Sequence, residues 1–405
     1  MNLKIITAIF AVLLLSFIQA ESAELINGGF ETAGASLNEA LNWKLAKFCN
    51  KGHVRVRSPR KSGSWSLKLQ NTSADDISCS FQKIVFNQQE LKPILLTGFI
   101  RGNVKKTPNG FFGATLYVEI HLVDGTIVYW NSAPNFGSFA WREAGINLSS
   151  IYKVTGPIAY VNVIPLLMDG TGAAYFDNLV IREFEPREAA VTLMFDDGHE
   201  SAFNVAKPVL DAYGLCASAA VVTGEIDKPD SMTTADLQEL ENDCWSISSH
   251  SETHAHLDDI PIGKARNEMI NSKKTLKKKK IEAVSFAYPF GDFNGALFAE
   301  CQKHYVSCRG VNAGVNPTRG LYPHDVKTRV VKNTTTLGDV WNWLSEAWEK
   351  KAWVVIVFHV IADDWDDAYH TPVSDFEEMA DLVANSGLDV ITYDEGVRRY
   401  SVGKP

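Results

Sequence analysis

The stretch Ala190-Val191-Thr192-Leu193-Met194-Phe195-Asp196-Asp197-Gly198 decides how the second half of this chain is read. A β-branched and apolar run that stops in two carboxylates and a glycine is the pattern of a strand buried on both faces that delivers acids to the edge of a sheet. Asp and Gly also make ordinary tight turns, so the tripeptide alone leaves a turn and a site both open.

His250-Ser251-Glu252-Thr253-His254 follows downstream. Its spacing puts two imidazoles on one side of a helical turn, or of the loop entering one, which suits two adjacent ligands on one borderline-soft cation. Two histidines and a carboxylate form a common catalytic zinc set that keeps a coordination position open. Near the other end, Trp353-Val354-Val355-Ile356-Val357-Phe358 is a second apolar strand, and it closes in His359. A lone histidine there is more often a satisfied core residue. It gains weight because strand ends on one side of a parallel βα fold converge on one site.

With these residues in place, the chain from 187 to 405 resembles the polysaccharide deacetylases of the NodB-homology type, carbohydrate esterase family four. The resemblance rests on the ordered set Thr192-Leu193-Met194-Phe195-Asp196-Asp197-Gly198, His250-Ser251-Glu252-Thr253-His254, Phe286-Ala287-Tyr288-Pro289-Phe290-Gly291 and Val357-Phe358-His359. It implies a distorted (β/α) barrel with Asp196 as general base, Asp197, His250 and His254 as metal ligands, and His359 as general acid. It also implies an oxyanion donor at the Phe290 backbone N–H, with Tyr288 and Pro289 beside the substrate. The implied metal is Zn2+, with Co2+ or Ni2+ as alternatives, and the implied substrate is an acetylated polysaccharide.

The chemistry suits those roles. Amide hydrolysis at neutral pH needs an activated water, and a divalent cation lowers the pKa of water toward about 7. It also lets the adjacent Asp196 and Asp197 both ionise. An amine departs poorly unless protonated, which is the work expected of His359. An O-acetyl esterase, which depends less on that acid, remains the close alternative. The sequence departs from the family where Ala287 replaces an arginine that pairs with the catalytic aspartate. That departure motivates a third reading, a glycan-binding protein whose catalytic domain has lapsed. Asp363-Asp364-Trp365-Asp366 reads as a solvated loop, or else as acidic and aromatic groups for a sugar cleft.

The remainder bounds where this chemistry happens. Residues 1–20 carry a single Lys4, an apolar centre and small residues at Ala20 and Ala23, the pattern of a secretory signal peptide cleaved at 20 or 23. The apolar run is short for a membrane span, so no transmembrane segment is expected after cleavage and the protein is expected to be secreted, periplasmic or envelope-associated. Six cysteines in an exported chain permit disulfides. Pairing within halves is the economical scheme, with Cys301 to Cys308 and Cys216 to Cys244, against the alternative of reduced buried thiols. The net charge of −9 argues against a nucleic-acid partner. The basic block 273–280 reads as a solvated helix end. Oligomeric state is left open.

Residues 24–185 read differently, as short strands with turn signals. In 116–122 apolar and polar residues alternate, and Asp124-Gly125 supplies hairpin chemistry into 126–130. The expectation is an all-β sandwich followed, after a short charged linker at 183–188, by a βα domain over 187–405. Leu25-Ile26-Asn27-Gly28-Gly29-Phe30-Glu31, Trp43 and Ala174-Tyr175-Phe176-Asp177-Asn178-Leu179-Val180-Ile181 resemble the jelly-roll carbohydrate-binding modules. Such modules imply a structural Ca2+, with Glu31 and Asp177 as its candidate ligands. Trp65, Tyr129, Trp130, Phe136 and Trp141 are the aromatics available for sugar stacking, and none is singled out.

Overall fold

A computed structural model describes residues 24–402 except Asp366. The segment 1–20 read as a signal peptide lies outside the described residues. Among those described, no helix is long and apolar enough to cross a membrane.

The N-terminal part forms two antiparallel sheets. In the first, Val54–Val56, Ser66–Asn71, Gly170–Glu183, Ile94–Lys106 and Gly137–Asn147 lie in that order. In the second, Ser78–Cys79 and Gln82–Val85 both flank Ile158–Met168, followed by Gly113–Leu122 and Ile127–Asn131. Alternation along the strands buries Leu67, Leu69, Ile100 and Phe176 from one sheet against Leu116, Val118, Ile120 and Val161 from the other. The Asp124-Gly125 turn forms as its chemistry dictates: Gly125 has φ +90, and Asp124 Oδ1 accepts from Thr126 N–H at 2.8 Å.

The C-terminal part is a barrel. Ala190–Phe195, Ser218–Val221, Ser246–Ser249, Ser285–Ala287, Ser307–Ala313, Val326–Val330 and Ala352–Phe358 run parallel, and the last pairs back onto the first, with Phe195 opposite Phe358. The first and last strands are apolar on both faces because both faces are covered. Val191, Leu193, Phe195, Val354, Ile356 and Phe358 pack under the helices. Ala190, Met194, Trp353, Val355 and Val357 form a separate core closed by the helix Tyr393–Tyr400. Helices Thr234–Asn242 and Leu337–Glu349 each begin on a capping box, Thr233 with Asp236 and Thr336 with Asp339, each box stabilising its helix by about 1 kcal/mol. The helix Ile262–Lys278 ends in the basic block, where cations suit the dipole.

The two parts pack together. The buried Asn147 side chain accepts from Tyr322 N–H at 2.8 Å, Gly295 N–H donates to Pro134 O at 3.0 Å, and Leu95 shares an apolar cluster with Phe298 and Tyr322. Cys49–Cys79, Cys216–Cys244 and Cys301–Cys308 are disulfide-bonded, which is the pairing within halves.

Candidate metal centre and active site

Four of the barrel strands bring functional groups to one end of the barrel. Asp196 and Asp197 follow the first strand, His250 follows Ser246–Ser249, Arg309 lies in Ser307–Ala313, and His359 follows Ala352–Phe358. These are C-terminal strand ends, where parallel barrels assemble their sites from separate segments.

His250 Nε2 and His254 Nε2 each lie 3.3 Å from Asp197 Oδ1. The three ligand atoms fall within 4.8 Å of one another, and the donor set is the two-nitrogen, one-oxygen kind that suits Zn2+. His250 Nδ1–H donates to the Ala287 carbonyl at 2.9 Å, which fixes the ring and leaves the Nε2 lone pair for a cation. The residues therefore fit a divalent metal. His254 sits in a loop, not on a helical turn. Asp197, Ser251, His254 and Phe290 all hold positive φ, between 58° and 72°. Non-glycine residues seldom adopt that region, at a cost of order 1 kcal/mol each, and it aims their side chains where a relaxed loop would not. Ser251 Oγ holds its turn by accepting from His254 N–H at 2.9 Å.

The electrostatics follow from this packing. Burial disfavours the Asp197 carboxylate, but the close His250 and His254 rings outweigh it and hold the carboxyl well below the usual range. Burial likewise disfavours the His250 imidazolium, and the charges of Asp197 and Asp196 more than offset it. His359 differs: burial dominates and lowers its pKa, only partly countered by Asp196 and Asp197. Its Nδ1 is buried without a hydrogen-bond partner among the described residues.

Asp196 is buried, and Arg309 Nη2 donates to its Oδ1. Arg309 was missed from sequence. It is 1 % exposed and stands directly across from Ala287 in the parallel pairing of their strands. The charge absent at position 287 is thus supplied one strand over. The linear signal, a lone arginine after Ser307-Cys308, carries no weight until the pairing register is known.

Of the three residues expected beside the substrate, only Phe290 reaches the surface, 47 % exposed, with its ring 4.5 Å from that of His254. Tyr288 and Pro289 are buried. Tyr288 packs between Phe286 and Phe293, and burial pushes its phenol far up. Its placement beside the substrate is corrected to core, because an aromatic following a strand that is covered on both faces is enclosed with it.

Glu31 and Asp177, the candidate calcium ligands, both meet the loop at 61–65. Asp177 Oδ2 accepts from Lys61 N–H at 2.8 Å, and Glu31 Oε1 from Ser64 N–H at 2.9 Å. Gly63, at φ +55, admits the Glu31 carboxylate where a Cβ would stand 2.2 Å from Oε1. Backbone amides here compensate the charge that a cation was expected to compensate.

The polysaccharide deacetylase family model matches residues 184–307. A putative polysaccharide deacetylase of Bacillus subtilis, YxkH, is 26 % identical over 148 residues, 36 % of this chain and 51 % of that protein. The chain thus spans about half the length of this curated relative. Among solved structures, the family 4 carbohydrate esterase domain of a multidomain xylanase from the hindgut metagenome of Trinervitermes trinervoides aligns at 18 % identity and TM-score 0.39. That alignment covers 52 % of this chain and 91 % of the other. The peptidoglycan deacetylase PdaC of Bacillus subtilis aligns at 14 % identity and TM-score 0.36, covering 53 % and 94 %. Residues 184–307 are thus similar in sequence to the polysaccharide deacetylase family.

Proposed function

We propose that this protein is an exported, metal-dependent deacetylase that hydrolyses N-acetyl groups on a glycan containing N-acetylhexosamine. The observation that carries the reading is the convergence of Asp197, His250 and His254 beside Asp196 and His359 at one end of the barrel. A divalent cation held by the first three, Zn2+ or alternatively Co2+ or Ni2+, would supply Lewis acidity toward the acetyl carbonyl and the attacking water. Asp196, held in place by Arg309, takes that water's proton. The Phe290 backbone N–H stabilises the oxyanion, in the role the family assigns to its position. His359 protonates the departing nitrogen. The N-terminal sandwich is assigned as a jelly-roll carbohydrate-binding module that keeps the polymer close.

One observation favours a second reading, an O-acetyl esterase on xylan or a similar polysaccharide. His359 lacks a hydrogen-bond partner on Nδ1 among the described residues and has a lowered pKa, and an alcohol needs its proton less than an amine does. The lapsed-domain reading loses its motive, since Arg309 stands where the pair at Ala287 was missing.

The test is acetate release by the zinc-loaded protein from N-acetylglucosamine oligomers and from acetylated xylan, with Asp196→Asn as control. Release from the oligomers that needs Asp196 supports the amidase, and release from xylan alone supports the esterase. Silence on both, with metal bound, returns the lapsed domain.

A further inference from the structure

After His359 the chain does not leave the site. Val360–Ile361 pairs in parallel with His370–Thr371, so the intervening loop is tied at both ends beside the catalytic histidine. Two rings of that loop face the same end of the barrel. Tyr369 lies with its ring 5.0 Å from that of His359, and Trp365 meets the ring of His199, the residue after Asp196-Asp197-Gly198, edge-on at 4.9 Å. Each is held by a ring contact and stays partly exposed, Trp365 37 % and Tyr369 40 %, with Lys332 Nζ also over the Tyr369 ring at 5.3 Å. Beyond the metal ligands stands Phe290, its ring also stacked on His256 at 3.6 Å.

Other aromatics of this domain are exposed as well, but Trp341 and Trp348 lie on the helix Leu337–Glu349, whereas Trp365 and Tyr369 touch His199 and His359 at the strand ends. A partly exposed aromatic held in place by its neighbours suits a ligand that is apolar on one side and polar on its rim. A pyranose ring is such a ligand, with C–H groups on its face and hydroxyls around its edge.

We propose that Trp365 and Tyr369 are specificity-determining residues that stack on the sugar units flanking the acetylated one, on the His359 side of the cleft. They take no part in bond breaking. This inference rests on the reading of the site as a polysaccharide deacetylase. It replaces the solvated-loop reading of 363–366 with an aromatic wall supplied from after the final histidine.

The experiment compares the zinc-loaded protein with Trp365→Ala, Tyr369→Ala, Trp365→Phe and Tyr369→Trp on two kinds of substrate. One is an activated phenyl acetate with no sugar; the others are N-acetylglucosamine oligomers and acetylated xylan oligomers. Each alanine variant is expected to raise KM for the responding glycan roughly fivefold to tenfold with little change in kcat. The phenyl acetate is expected to be cleaved as before, and the aromatic replacements to restore KM. Loss of kcat on both kinds of substrate would assign the rings to positioning His359 and overturn the proposal, as would an unchanged glycan KM. Calorimetric binding of the same oligomers to Asp196→Asn, with and without each alanine change, reads the stacking without turnover. If no glycan releases acetate, the deacetylase reading fails, and the binding comparison still decides for or against the wall.

Discussion

Arg309 Nη2 is hydrogen-bonded to Asp196 Oδ1 inside the barrel, both side chains buried, and Arg309 occupies the cross-strand position opposite Ala287. In the proposed role of base, Asp196 needs a fixed orientation and a compensating charge, and the pair with Arg309 supplies both. Arg309→Ala is expected to lower acetate release about a hundredfold through misplacement of the base. It is also expected to destabilise the fold by about 3 to 5 kcal/mol, since Asp196 is left unpaired. Ala287→Arg in the Arg309→Ala background should recover activity, because the two positions adjoin. Thermal unfolding and acetate release on the three variants check this, and full activity in the single variant would remove Arg309 from the machinery.

His359 is expected to separate amide from ester cleavage. His359→Ala is expected to depress release from N-acetyl substrates by about 10² to 10⁴ while sparing an activated phenyl acetate. Because its burial lowers its pKa, the imidazolium is scarce earlier on the alkaline side than for an ordinary histidine. Amide cleavage should therefore decline as pH rises through the lowered value, with ester cleavage unaffected by that step. Equal losses on both substrates would reassign the acid.

Metal binding should register in stability as well as turnover. The Asp197, His250 and His254 triad is brought together only by folding, so Zn2+ at about a hundred times its Kd is expected to add about 2.7 kcal/mol. Scanning calorimetry should show Tm rising with Zn2+ in the wild type and not in His250→Ala, with a chelator reversing the rise.

Asp394 makes a separate pH prediction far from turnover. Burial, aided by the charge of Glu282 and opposed by a hydrogen bond from Ser285, raises its carboxyl to about 6. The folded state thus keeps a proton that the unfolded chain loses from about pH 4 upward. Below that pH neither state is penalised. Between about 4 and 6 stability falls as pH rises, levelling at a cost of order 3 kcal/mol. Asp394→Asn is expected to stabilise the protein above pH 6 and to do nothing below pH 4, as read by denaturant midpoints at the two pH values.

What was legible in the sequence was what depends on composition along one strand. Ala190–Phe195, but for Thr192, and Ala352–Phe358 are apolar because both faces are covered, and they end in the acids and the histidine of the site. Ser246–Ser249 was not legible as a strand. It is nearly as buried but built mostly from serines, of which Ser246 bonds Ser218 at 2.9 Å and Ser249 bonds Ser272 at 2.5 Å, while the Ser248 hydroxyl is buried without a partner among the described residues. Val326–Val330 was hidden by Lys327 and Arg329, which are paired to Asp325 and Glu346. Arg309 was invisible for another reason: its partnership with position 287 is a matter of register between strands, and no spacing along the chain encodes it.

The left-handed residues around the site bring a last consequence. Asp197, Ser251, His254 and Phe290 each sit where glycine would be more comfortable. A laboratory search that rewards only heat resistance would drift toward relaxing those four positions. Selection for a working catalyst would hold them tense, so a hardier descendant of this protein found by such a search should be examined first for blunted turnover.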